Sequence, residues 1–183
     1  MLTDDERRGL LRYARHVIAA HLHGDSPPPP PAVGEPLRHA GAFVTLHAAG
    51  DLRGCIGYPG SQKPIDEVVA ECAVASATED PRFPPVHPSE LPALSVEISV
   101  LTPIEPVRDL RDIEVGRDGL VVEQGFRRGL LLPQVATEHG WNRETFLAHT
   151  CMKAGLRPDA WRGAARVSRF QAEVFGEDEA VPR

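Results

Sequence analysis

Residues 94–101, Leu-Ser-Val-Glu-Ile-Ser-Val-Leu, alternate with a period of two. Leu94, Val96, Ile98 and Val100 fall on one face, and Ser95, Glu97 and Ser99 on the other. Only an extended chain sorts side chains that way. A strand with one apolar face is not stable alone, so the fold must supply paired neighbours along its edges and a layer over that face. Neighbours are at hand. "AFVTLH" (42–47) and "LRGCIG" (52–57), separated by a short Ala-Gly-Asp turn, read as a β-hairpin, and "RVSRFQAEVF" (166–175) reads as a closing strand. The segment 113–133 offers three short strands split by glycine-containing turns.

Helices supply the covering layer. Thr3 and Glu6 form a Thr-x-x-Glu capping box, and Leu10, Ala14, Val17, Ile18 and Leu22 then share one face of a helix over 4–22 that stops at Gly24. Pro64 opens a second helix, with Ile65, Val68, Val69, Cys72, Ala75 and Ser76 on one face, running to about Thr78. Pro133 opens a short helix stopped at Gly140, and Asn142 caps another that ends at Gly155. Hairpins followed by helices, without strict β–α alternation, predict an α+β fold with mostly antiparallel pairing. The order strand-strand-helix occurs twice, around 42–78 and 119–154, which suggests two lobes from element order alone within a single domain spanning 1–183.

Five consecutive prolines, Pro27 to Pro31, make the stretch 25–36 an extended connector without sheet donors. The loop 79–91 holds four prolines and is read as irregular. With 183 residues and a net charge of −6, the chain lacks the basic patch that a nucleic-acid partner or an anionic membrane surface requires. Its acidic start is unlike a signal peptide, and no apolar run reaches the ~18–20 residues of a membrane span. A soluble, cytoplasmic protein is expected. Three widely spaced cysteines, Cys55, Cys72 and Cys151, fit free thiols in a reducing compartment. No Cys-x-x-Cys or His-x-x-x-His spacing calls for a metal, and no cofactor is indicated.

Chemistry concentrates around "LRGCIG". Strand alternation puts Arg53, Cys55 and Gly57 on one face, with Arg53 and Cys55 ~6–7 Å apart. A guanidinium so placed favours a thiolate. Cys55 reads either as a nucleophile or as a small packed hydrophobe. Gly54 and Gly57 within one strand mark a bulge or a close approach by a ligand or another backbone. The helix start near Ile65, with Lys63 beside it, reads as an ordinary connection or as an anion site. In "DPRFPPV" (80–86), prolines restrict Arg82 and Phe83 and present them. Glu97 is either solvated or paired with Arg53 or Arg82.

These stretches together resemble the AMMECR1 family, which is found across archaea and bacteria. "LRGCIG" matches its signature, and "EDPRFPPV", "LSVEISVLTPIEPV", "DGLVVE", "GLLLPQVATEHGW" and "FLAHTCMKAGL…W" match its other blocks in order, across nearly the whole chain. The five-proline insert and the "YPG" after the signature depart from the pattern without touching the motif. The resemblance implies a two-lobed α+β fold with the signature near a cleft. It also implies partners, because bacterial members often belong to a three-component set (AmmeMemoRadiSam) with a Memo-like protein and a radical S-adenosylmethionine protein. Two readings follow. In one, the protein is an enzyme or enzyme-system component acting on a small molecule, with Cys55, Arg53 and Glu97 in catalysis and Gly54, Gly57, Arg82 and Phe83 binding substrate. In the other, it is a non-catalytic module that docks partner proteins.

Overall fold

A computed structural model describes residues 2–34 and 40–177. The first helix, α1 (Asp4–His23), carries the predicted capping box: Glu6 N–H donates to the Thr3 hydroxyl, and Thr3 N–H donates to the Glu6 carboxylate at 2.7 Å. Strands β1 (Ala42–Ala48) and β2 (Asp51–Tyr58) form the expected hairpin, turned by Ala49 and Gly50, both at positive φ. Helix α2 (Ile65–Thr78) follows, with Pro64 as its N-cap and not as its first helical residue. Then come β3 (Leu94–Leu101), the two-residue β4 (Glu105–Pro106), β5 (Asp118–Gln124) and β6 (Arg127–Leu131). Helices α3 (Pro133–Glu138) and α4 (Arg143–Lys153) precede the long β7 (Arg166–Gly176). The β1–β2, β1–β3, β4–β7, β5–β6 and β5–β7 pairings are antiparallel, so the α+β reading holds. Within the stretch 25–36, residues 25–34 have no regular structure, while Glu35 and Pro36 lie outside the described residues.

Two expectations are corrected. The segment 113–133 holds two strands and not three. Residues 113–117 are drawn into a turn because the buried Asp118 accepts from the Glu114 N–H (2.9 Å) while the Asp118 N–H donates to the Glu114 carbonyl (2.9 Å), leaving nothing for a ladder. The loop 79–91 is not wholly irregular. Pro88–Ala93 is a 3-10 helix, begun by a capping box in which His87 N–H donates to Glu90 Oε1 at 2.7 Å.

The chain divides into two compact units, Met1–Val100 with Glu173–Arg183, and Leu101–Ala172. In the first unit, β1 is the middle strand between β2 and β3, and α1 and α2 cover its apolar face. Leu10, Ile18, Val44, Leu46, Val68, Cys72, Val96 and Ile98 meet there in one aliphatic core. In the second unit, α4 packs on the β5–β6 hairpin over Leu120, Val122, Phe146, Leu147 and Cys151. Cys72 and Cys151 therefore belong to cores. Burial pushes the Cys72 thiol up to about 12 and the Cys151 thiol upward as well, which keeps both protonated and unreactive.

Candidate functional site

Cys55 does not join a core. The register pairs Thr45 with Cys55 on one side and with Glu97 on the other, so Cys55, Thr45 and Glu97 form a row across β2, β1 and β3. This row lies on the face opposite Val44, Leu46, Val96 and Ile98. Cys55 and Thr45 are half-buried, and the Thr45 hydroxyl donates to Cys55 Sγ at 3.3 Å. Two strand spacings, about 10 Å, separate the backbones of Cys55 and Glu97.

A one-residue irregularity decides this orientation. His47 pairs with Leu52 but Leu46 pairs with Gly54, so Arg53 is the unpaired residue of a bulge. Without the bulge, counting back from the turn would set Cys55 opposite Val44 and aim the thiol into the core.

Both glycines of the signature are explained by protein atoms. A Cβ on Gly54 would lie 2.1 Å from the Ser76 carbonyl oxygen, so α2 reaches the sheet only because that position has no side chain. A Cβ on Gly57 would lie 2.3 Å from the ring of Phe43, its cross-strand neighbour. The close approach expected from sequence is thus made by α2 and by Phe43.

The loop after α2 covers the outer edge of β2 at Cys55. Cys55 N–H donates to Asp80 Oδ2 at 2.8 Å, and the Arg82 guanidinium donates to the Cys55 carbonyl at 3.4 Å. Asp80 and Arg82 are joined by a two-pronged ion pair (2.9 and 2.7 Å) and by the Arg82 N–H at 3.0 Å. Asp80 is 4% exposed. The Arg82 guanidinium holds its carboxyl well below the usual range against the opposing effect of burial, aided by the N–H groups of Cys55 and Arg82. The Arg82 side chain stays 54% exposed, over the ring of Phe83 at 5.5 Å. The bond from Asp80 raises the Arg82 pKa against the opposing effect of burial.

Arg53 behaves differently from expectation. Its guanidinium donates to both oxygens of Glu90 (2.9 and 3.1 Å) and to the Pro84 carbonyl (3.0 Å), which ties β2 to the loop and to the 3-10 helix. It is a fastener of that loop, because as the bulged residue its side chain escapes the row that Cys55 occupies. Lys63 pairs with Glu71 and does not stand open beside the start of α2. Arg82 and Cys55 are brought together; Arg53 and Arg82 are each committed to a carboxylate on the loop or 3-10 helix, and Glu97 shares with Cys55 only the cross-sheet row, as the register partner of Thr45 on β3.

Three residues of the site went unnoticed in the sequence. Asp80 stands two places before Arg82 in a proline-held loop, a spacing suited to a side-chain-to-backbone turn, and it does accept the Arg82 N–H. Glu90, three residues after His87, has capping-box spacing with histidine in place of Ser or Thr. Thr45 becomes visible only once the bulged register is known. Among the described residues no group of three or more His, Cys, Asp or Glu side chains is arranged to hold a metal, and no helix is long and apolar enough to cross a membrane.

An antiparallel α+β protein with a half-buried cysteine, hydrogen-bonded on the polar face of its first sheet and clipped by a carboxylate–arginine pair, is the class these features define. The AMMECR1 family profile matches residues 11–175, and the chain belongs to the AMMECR1 family. It is 53% identical to a protein of Methanothermobacter thermautotrophicus, covering 97% of both chains, and 46% identical to protein MJ0810 of Methanocaldococcus jannaschii, covering 98% of this chain and 94% of that one. The crystal structure of the uncharacterised protein PH0010 from Pyrococcus horikoshii matches with a TM-score of 0.88 at 44% identity, over 97% of this chain and 94% of that one. These relatives carry locus names or none, so membership names a family without naming a reaction.

Proposed function

We propose that the polar face of the β1–β2–β3 sheet is where this protein acts, as an enzyme or a component of an enzyme system working on a small molecule. Cys55 is the thiol nucleophile, the exposed Arg82 receives an anionic group of the substrate with Phe83 beside it, and Glu97 supplies acid–base capacity from β3. Gly54 and Gly57 shape the strand, and Arg53 positions the loop through Glu90.

One observation carries this reading. Asp80 and Arg82 grip both the N–H and the carbonyl of Cys55 while Thr45 donates to its sulfur, so the thiol-bearing residue is held from three sides. Such fixation orients a reacting group. The test is the alkylation rate of each cysteine by iodoacetamide across pH. Cys55 is expected to react through its thiolate, faster than Cys72 and Cys151, and a Cys55 wholly inert in the folded protein would sink the proposal. Metabolite profiles of a deletion strain complemented with wild type or Cys55→Ser are expected to differ.

A second reading is favoured by the exposure of Arg82 over Phe83 on a proline-braced loop, a surface suited to docking a Memo-like or radical S-adenosylmethionine protein. In that case Cys55→Ser leaves partner pull-down intact, while Arg82→Ala with Phe83→Ala weakens it.

A further inference from the structure

The second unit carries a cavity of about 420 Å³ that plays no part in the reading above, lined by Glu105, Pro106, Val107, Arg108, Asp112 and Arg169. Its charges are arranged unusually. Glu105 and Arg169 are directly opposite each other on β4 and β7, a position at which unlike charges ordinarily bond. Here they do not, because Arg169 is pinned elsewhere. It donates to the Asp112 carbonyl at 2.9 Å and lies 3.6 Å from Oδ2 of Asp118, a carboxylate with no exposure at all.

A guanidinium has five N–H donors, so Arg169 keeps unused donors in a fixed position. The side chains of Glu105, Arg108 and Asp112 make no hydrogen bond or ion pair among the described residues. The cavity thus presents two cations and two anions that leave one another unpaired, above a small apolar surface of Pro106 and Val107.

A lining balanced in this way repels a bare polyanion from its carboxylates and a bare cation from its arginines. A dipolar ion satisfies both halves. The geometry points to a binding site for a small zwitterion of the α-amino-acid type, its carboxylate received by Arg108 and Arg169 and its ammonium by Glu105 and Asp112. The volume lies within the span of small-molecule pockets, about 300–1,000 Å³. This site stands on its own residues and does not depend on Cys55.

The experiment is isothermal titration calorimetry of the full chain with L-glutamine, which carries both α-charges on a neutral side chain. L-glutaminamide, lacking the carboxylate, and glutaramic acid, lacking the ammonium, serve as single-charge controls, and the other protein amino acids are titrated in turn. Saturable binding of at least one amino acid is expected. It is expected to weaken by at least about tenfold when either α-charge is removed and in Arg108→Gln or Glu105→Gln, since each change removes one charge-assisted hydrogen bond. Both substituted positions are exposed, and unchanged circular dichroism confirms that the variants fold. The inference is overturned if no amino acid binds saturably, if glutaramic acid binds as tightly as glutamine, which marks a plain anion site, or if the two variants bind as wild type does.

Discussion

Thr45 donates a hydrogen bond to Cys55 Sγ across the hairpin, 3.3 Å from oxygen to sulfur. The backbone explains why they meet. The N–H and carbonyl of Cys55 face outward to Asp80 and Arg82, so Thr45 and Cys55 occupy a pair position without ladder bonds between them, where side chains approach most closely.

A hydroxyl donor stabilises a thiolate more than a thiol, and the thiolate is the reactive species. Removing it in Thr45→Val is expected to slow alkylation of Cys55 at neutral pH by about three- to tenfold, the worth of one modest hydrogen bond. Thr45→Ser restores the rate, because it keeps the donor and loses only a methyl group. Equal rates in all three proteins would show that the bond does not reach the reactivity of the thiol.

The Asp80–Arg82 clip predicts a pH dependence. The Asp80 carboxyl is held below its ordinary value in the folded protein, so the stability it confers is present above the ordinary carboxylate value, near about pH 4, and is lost as pH falls through the folded value. Asp80→Asn keeps the shape but removes the charge. It is expected to destabilise the protein by about 2 kcal/mol near neutral pH, since the hydrogen bonds lost are charge-assisted, though Arg82 is half solvated. The difference from wild type then shrinks below about pH 4. Urea unfolding followed by circular dichroism at both pH values measures it.

The elements legible in the sequence were those whose signals are local. The alternation from Leu94, the capping box of Thr3 and Glu6, and the N-cap at Asn142 each involve residues within a turn or a strand of one another; the two caps recur in the structure, and the alternation does so from Leu94 to Ile98, beyond which Ser99 is buried as well. The site was legible only in part. Cys55 and Arg82 lie close, but the bulge at Arg53 breaks the strict alternation that placed Arg53 beside the thiol, and nothing within "LRGCIG" marks it. The missing third strand near Ile113 failed for a related reason. A short apolar run cannot reveal that a carboxylate several residues later, Asp118, will claim its backbone donors.

The hairpin turn carries a small strain that can be relieved. Ala49 sits at φ 53°, a left-handed conformation that a side chain disfavours, followed by Gly50 at φ 87°. Asn-Gly is the pair best suited to such a turn. Ala49→Asn, at an exposed position, is expected to stabilise the protein by about 0.5–1 kcal/mol, seen as a raised thermal midpoint with the alkylation rate of Cys55 unchanged. A lowered midpoint would mean that Ala49 makes contacts worth more than the strain.

Gly54 offers the sharpest test of how the first unit is built. Its Cα faces the Ser76 carbonyl on α2, and a methyl group there would meet backbone at 2.1 Å. Neither partner can rotate away, since one is a strand paired to β1 and the other a helix fixed by Val68, Val69 and Cys72 in the core. Gly54→Ala must therefore push α2 off the sheet, and is expected to cost about 3 kcal/mol or more, or to prevent folding. Gly60→Ala is the control, because nothing lies within 4 Å of its added methyl group, and it is expected to be close to neutral. If α2 and the sheet separate in Gly54→Ala without full unfolding, Cys72, now inert in the core, becomes accessible to iodoacetamide. An alanine variant as stable as wild type, with Cys72 still protected, would show that the helix–sheet distance at Gly54 is not what fixes this unit.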